Sequence, residues 1–223
     1  MDSIFTGDLA SRRGRAIAWA DSLLIDHGLI RLAWSNAAAV IPGRLYRANH
    51  PSPRRLAAQA KTLGLRGLIS LRGPTGNGSD ALLREAAGRI GLPVFDAPID
   101  SGRPPGRERL LHLLDTFQKM PEPALIFCKS GADRAGFAAA VFVLHAGGRL
   151  AAAQAQLSWR FGHLRRSRAG VLDALLARYG AETRGRQGFA DWVRDGYDPE
   201  AVQRDFRAGR MAGFINDRLL ARE

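Results

Sequence analysis

Cysteine occurs once in these 223 residues, at position 128. No intramolecular disulfide can form, so an extracellular cross-linked framework is excluded, and Cys128 has no partner thiol to protect it from over-oxidation. Metal-ligand patterning is missing as well. His27, His50, His112, His145 and His163 are widely spaced, no Cys/His pair has ligand spacing, and solvated or capping roles are expected for all five. No uncharged apolar run reaches the length needed to span a bilayer. The opening Met-Asp-Ser-Ile-Phe-Thr-Gly-Asp lacks the basic region and apolar core of a secretory signal. A soluble, cytoplasmic chain without metal or cofactor is the expectation. Lysine is scarce too, present only as Lys61, Lys119 and Lys129, so the net charge of +12 is carried almost wholly by arginine. Arginine-biased coding explains part of that charge, and attraction of phosphorylated substrates or anionic surfaces explains the rest. The arginines are scattered without an interleaved aromatic array, which argues against nucleic acid as a partner. There is no internal repeat and no low-complexity segment.

What the chain does have is one dense stretch, Ile126-Phe127-Cys128-Lys129-Ser130-Gly131-Ala132-Asp133-Arg134-Ala135-Gly136. It reads as an apolar strand, a short loop opened by a cysteine and closed by an arginine, and then a helix through Phe137, Ala138, Val141, Phe142 and Leu144. A strand-to-helix loop aims backbone N–H groups inward, and the helix N-terminus adds partial positive charge, so a dianion can be held there. Gly131 lets the loop curl. Arg134 carries a planar fork of donors that grips two phosphate oxygens at once. The same field favours the thiolate form of Cys128, placed to attack phosphorus in line.

The spacing of five residues between Cys128 and Arg134, with Gly131 third after the cysteine and Arg-Ala-Gly closing the loop, resembles the signature of the protein tyrosine and dual-specificity phosphatase superfamily. Rhodanese-type loops put one residue fewer between cysteine and arginine, and low-molecular-weight phosphatases carry the loop near the N-terminus. Further upstream, Leu45-Tyr46-Arg47, Pro51-Ser52-Pro53, a helix, and Leu68-Ile69-Ser70-Leu71-Arg72-Gly73 follow the order of compact bacterial dual-specificity phosphatases, so the resemblance runs from about residue 41 to about 145.

Residues 1–40 read as a helical extension, amphipathic over Ala16 to Leu24 and Leu29 to Trp34 with a break near His27-Gly28. Packing on the core is favoured over a basic helix lying on an anionic membrane, because Asp21 and Asp26 dilute its charge. The catalytic core spans 41–146. It comprises a strand over Ile41 to Asn49, a helix from Pro53, a buried strand from Gly67, a helix from Ser79, a strand over Pro93 to Ala97, a Pro- and Gly-rich loop, a helix over Arg107 to Met120, and the Cys128 stretch. This alternation predicts an α/β fold with a mainly parallel sheet covered on both faces and the ligand at the strands' carboxyl ends. Residues 147–223 read as helical (Leu150 to Trp159, Gly170 to Tyr179, Gly188 to Val193, Pro199 to Arg207), packed on the core and silent on function. The basic run Phe161 to Arg168 is expected to be a solvated connection.

Cleavage of a phosphate ester needs an acid for the leaving oxygen. The resemblance implies an aspartate on a mobile loop upstream of the cysteine, a position that Asp100 matches. Asp96 falls inside a strand and is expected to pair instead. Asp133 would repel a bound dianion, so its side chain is expected to point away, toward backbone or a neighbouring arginine, while Lys129, Ser130, Gly131, Ala132 and Asp133 supply N–H donors beside Arg134. Two residues depart from the family's pattern. Phe127 stands where histidine is usual, and Ala135 where a hydroxyl helps the thiolate leave, which predicts slow turnover of the phosphoenzyme with Ser130 as partial substitute. The resemblance implies a phosphorylated protein or small phosphate ester as substrate, phosphotyrosine or dual specificity first. A phosphoinositide or inositol phosphate phosphatase is the alternative raised by Lys129, and a catalytically impaired phosphate-binding module the one raised by Phe127 and Ala135.

Overall fold

The computed structural model describes residues 3–26, 28–29 and 34–220, with the side chains of 210–220 outside the description. Among the described residues five strands make one sheet: β1 (Ala38–Ile41), β2 (Leu45–Asn49), β3 (Gly67–Ser70), β4 (Val94–Asp96) and β5 (Ala124–Cys128), in the spatial order β1-β2-β5-β3-β4. Every pairing is parallel except β1 with β2. The expected single strand over Ile41 to Asn49 is instead a hairpin. Gly43, at φ 74°, occupies the left-handed region that the turn requires, and Arg44 N–H closes it on the Ile41 carbonyl.

Strand β5 is central and buried along its whole length, so it reads as a continuous apolar run. Its side chains still alternate between two cores. Ala124, Ile126 and Cys128 face a large cluster with Phe137, Val141, Leu175 and Trp192, while Leu125 and Phe127 face a smaller one with Leu56, Leu83 and Ala87. The α-helices among the described residues are α1 (Arg12–Ala20), α2 (Pro53–Leu63), α3 (Gly78–Arg89), α4 (Arg107–Lys119), α5 (Asp133–His145), α6 (Leu150–Gln154), α7 (Val171–Thr183), α8 (Phe189–Asp195) and α9 (Pro199–Leu220). Helices α2 and α3 lie over the smaller cluster; α4, α5, α7 and α8 build the larger one.

Local signals set the helix ends. Ser52 caps α2 by accepting from Arg55 N–H, Pro53 takes the first turn, and Gly64 ends the helix at φ 62°. Asn77 caps α3, which begins at Gly78, one residue before the expected Ser79. Helix α1 runs on into a π-helical turn, Asp21–Ile25, and the expected break at His27 and the helix from Leu29 to Trp34 fall largely on residues outside the description. In the C-terminal third, α6 stops at Gln154 rather than reaching Trp159. Leu157 turns into the core, and Ser158 caps a separate 3-10 turn, Trp159–Phe161. No helix among the described residues is long and apolar enough to cross a membrane.

Candidate active site

The parallel register places Asn49 beside Cys128 and Ser70 beside Phe127 at the carboxyl end of the sheet, where an open parallel sheet binds its ligand. Between Cys128 and α5 the chain makes one tight loop. Four successive carbonyls of that loop are drawn to donors outside it. Lys129 O accepts from His50 N–H (3.4 Å) and Ser130 O from Asn36 Nδ2 (3.0 Å). Gly131 O and Ala132 O both accept from Arg47 Nη2, at 2.8 and 3.0 Å. Because a trans peptide sets its C=O and the following N–H in opposite directions, the N–H groups of Ser130, Gly131, Ala132 and Asp133 are turned to the inner side. The sulfur confirms this direction: Gly131 N–H donates to Cys128 Sγ at 3.2 Å. Cys128 is 1% exposed at the floor of this ring, and the 13-residue α5 directs its N-terminus at the same point.

Arg47 is one of the residues that sequence reasoning missed. It is fully buried, donates through Nη1 to Gln156 O (2.7 Å), and stacks its guanidinium 3.9 Å from the Phe161 ring centroid. Burial lowers its pKa to about 10, against the pull of Cys128 and Asp133. A signal was available. On β2 the period of two puts Arg47 and Asn49 on the same face as buried Leu45, and polar side chains at inward positions need built partners.

Arg134 lies in the first turn of α5, its Nη1 reaching Leu71 O at 3.5 Å. Ile99 N–H donates to the same carbonyl at 3.4 Å, so the loop bearing Asp100 runs directly past Arg134. Asp100 is exposed, and it makes no hydrogen bond or ion pair among the described residues. Asp96 is committed elsewhere, to Arg84 at 2.7 Å, as its place in a strand implied.

Asp133 does point away from the ring, but its partner is neither backbone nor arginine. Its Oδ1 meets His163 Nδ1 at 2.7 Å, and His163 Nε2 meets Asp173 Oδ2 at 2.6 Å. His163 is therefore no solvated or capping residue, its side chain being wholly buried. Burial works against the imidazolium, but the hydrogen bonds to Asp133 and Asp173 outweigh it and raise its pKa to about 9. His50 is buried as well, its ring edge-on to Phe127 at 5.2 Å. Phe127 itself belongs to the smaller apolar cluster, which accounts for an apolar residue at that position. Lys129 Nζ lies 3.4 Å from Asp26, a buried carboxylate that also takes both arms of Arg72 at 2.7 and 2.9 Å. The positive charge that Lys129 brings beside Cys128 is thus partly offset. Two surface hollows, one between α1 and His50 and one between α5 and α7, contain no residue of the loop. Among the described residues no group of three acidic, histidine or cysteine side chains is arranged to hold a metal ion.

The sheet order, the covering helices and the strand-loop-helix at Cys128 are those of the cysteine phosphatase fold. The core catalytic domain of the PP-IP phosphatase SIW14 from S. cerevisiae superposes with a TM-score of 0.51 at 17% identity, over 70% of this chain and 96% of that one. A DUF442 protein from Shewanella putrefaciens CN-32 superposes with a TM-score of 0.50 at 19% identity, over 69% of this chain and 95% of its own. No protein-family model matches the chain, and no curated protein matches it in sequence.

Proposed function

We propose that this chain hydrolyses phosphate monoesters through a cysteinyl-phosphate intermediate, with phosphotyrosine or dual-specificity protein substrates first in line. The observation that carries this reading is the ring of outward carbonyls with Cys128 Sγ at its floor and Gly131 N–H on the sulfur at 3.2 Å. Such a ring stabilises both a thiolate and the equatorial oxygens of a transferring phosphoryl group.

Cys128 thiolate attacks phosphorus and forms the S–P bond as the P–O bond to the leaving group breaks. Asp100, as the carboxylic acid, gives its proton to the departing oxygen. Arg134 and the inward N–H groups hold the phosphoryl oxygens throughout. In the second step the Asp100 carboxylate takes a proton from water, the water oxygen attacks phosphorus, the S–P bond breaks, and inorganic phosphate leaves with the thiolate restored. Ala135 has no hydroxyl to assist that departure. Ser130 Oγ, which accepts from Ala132 N–H at 3.4 Å, is the hydroxyl within the loop.

The test is hydrolysis of p-nitrophenyl phosphate in chelator, comparing wild type with Cys128→Ser and Asp100→Asn. Activity abolished in the first and reduced about 100-fold or more in the second supports the assignment. Full activity in Cys128→Ser refutes it. Absence of wild-type turnover with oxyanion still bound would favour a phosphate-binding module. A second reading, an inositol phosphate or phosphoinositide substrate, draws on Lys129 beside the cysteine and on the fold shared with a PP-IP phosphatase. Comparing kcat/KM on phosphotyrosyl peptides with that on inositol polyphosphates separates the two.

A further inference from the structure

We infer that His163 is a positioning residue that draws the Asp133 carboxylate out of the phosphate ring and cancels its charge, leaving Arg134 and the N–H donors free for a dianion. The inference rests on the reading of the loop as a phosphate site. Asp133 immediately precedes Arg134, at the N-terminus of α5 where that dianion would sit. A free carboxylate there repels the ligand and competes for Arg134. The structure removes it sideways. His163 Nδ1 lies 2.7 Å from Asp133 and Nε2 lies 2.6 Å from Asp173, so both ring nitrogens face carboxylate oxygens. Both can donate only when the ring is doubly protonated.

The groups around the pair come from four elements. Asp173 is on α7, and Arg165 from the loop before α7 holds the second Asp173 oxygen at 2.9 Å. Arg47 on β2 and Cys128 on β5 complete the set, Arg47 feeling both Asp133 and Cys128. With Asp173 shared between His163 and exposed Arg165, the imidazolium charge is left largely to Asp133. The burial of the ring makes that arrangement fixed rather than a solvated pair, and its raised pKa, about 9, agrees.

The experiment reads tungstate binding by calorimetry, which needs no turnover, on the full chain at pH 7. It compares wild type with His163→Gln, Asp133→Asn and the double variant. His163→Gln should weaken tungstate by about tenfold, the scale set by one uncompensated charge near the site. The double variant should bind about as tightly as Asp133→Asn alone, because no carboxylate is left to neutralise. Unchanged binding in His163→Gln, or a double variant as weak as His163→Gln, overturns the inference in favour of a packing role. Should His163→Gln not fold, tungstate affinity of wild type and Asp133→Asn is followed from pH 7 to 10, where tungstate stays a dianion. Wild type should lose affinity more steeply as the ring deprotonates, and identical profiles overturn the inference. If wild type binds no tungstate at all, the phosphate-site reading fails first, and this inference fails with it.

Discussion

Replacing Gly131 with alanine tests the ring at its tightest point. Gly131 has φ 74°, and a Cβ built there would lie 2.6 Å from Asn49 N, 2.8 Å from Ala48 C and 2.9 Å from Ala48 O. All three are backbone atoms of β2, which is paired to β5 at five successive positions and cannot give way. The left-handed conformation costs about 1–2 kcal/mol for a residue with a Cβ, and overpacking adds about 1–3 kcal/mol. The expected loss is about 2–5 kcal/mol, a large share of the roughly 5–15 kcal/mol of a typical domain. Relief must come from the loop. Moving Cβ from 2.6 Å to an ordinary 3.4 Å contact shifts it by about 0.8 Å, and a misplacement near 1 Å costs on the order of 100-fold in rate. Gly91→Ala is the control. Gly91 has φ 68° and nothing within 4 Å of a built Cβ, so it should lose only the conformational part and keep kcat/KM. Urea unfolding and p-nitrophenyl phosphate kinetics on both variants decide the matter. A Gly131→Ala protein as stable as Gly91→Ala and as active as wild type would refute the claim that the loop is wedged against β2.

Arg47→Met should unseat the loop, because Gly131 O, Ala132 O and Gln156 O all lose their guanidinium donor in a buried setting. Regained desolvation offsets part of that, leaving an expected loss of about 2–5 kcal/mol. Arg47→Lys should not rescue it, since an ammonium cannot reach both sides of the fork; recovery of stability and kcat/KM by lysine would count against the account. His163 gives a pH dependence with a definite sign. Its folded pKa of about 9 lies above the ordinary 6.5, so its stabilisation is complete below pH 6.5 and is lost as pH rises through 9. A shift of that size corresponds to about 3 kcal/mol. The wild-type minus His163→Gln difference in unfolding free energy should shrink by that order between pH 6 and pH 9.5, and a flat difference would contradict it.

The parallel part of the sheet was legible in the sequence because its signals are local, whereas β1, which begins inside the expected helical extension, was not. An apolar run with a glycine-bearing loop and then an alanine-rich helix can be read over a dozen residues, and Pro51-Ser52-Pro53 marks the start of α2 directly. Cys128 and Arg134 came from the same short stretch, which folds as the expected strand, loop and helix. The supports of the ring were harder to see because they are remote in sequence. Asn36, Arg47 and His163 each bond to the loop across long separations, and nothing local distinguishes His163 within a basic run from a solvated residue. The C-terminal third was read as silent for the same reason. Through Gln156, Phe161 and His163 it holds Arg47, Asn36 and Asp133 in place.

These supports also decide where the positive charge of the site resides. The net charge of +12 invites the idea of a pocket crowded with cations. The local pairing says otherwise. Asp26 lies against both Lys129 and Arg72 at the rim, and the Arg47 guanidinium is spent on backbone carbonyls beneath the loop. His163 is answered by two carboxylates. Arg134 differs from these: among the described residues it has no carboxylate partner, and its hydrogen bond to Leu71 O is long at 3.5 Å. The ligand charge that the ring can meet is therefore set mainly by one guanidinium, four inward N–H groups and a helix N-terminus. That is the complement of a single phosphoryl dianion. A substrate bearing several clustered phosphates would have to compete with Asp26 for the Lys129 and Arg72 charges. This balance of charge supports the proposed phosphate-monoester reading over a polyphosphorylated ring, and a higher kcat/KM on inositol polyphosphates than on phosphotyrosyl peptides would count against it.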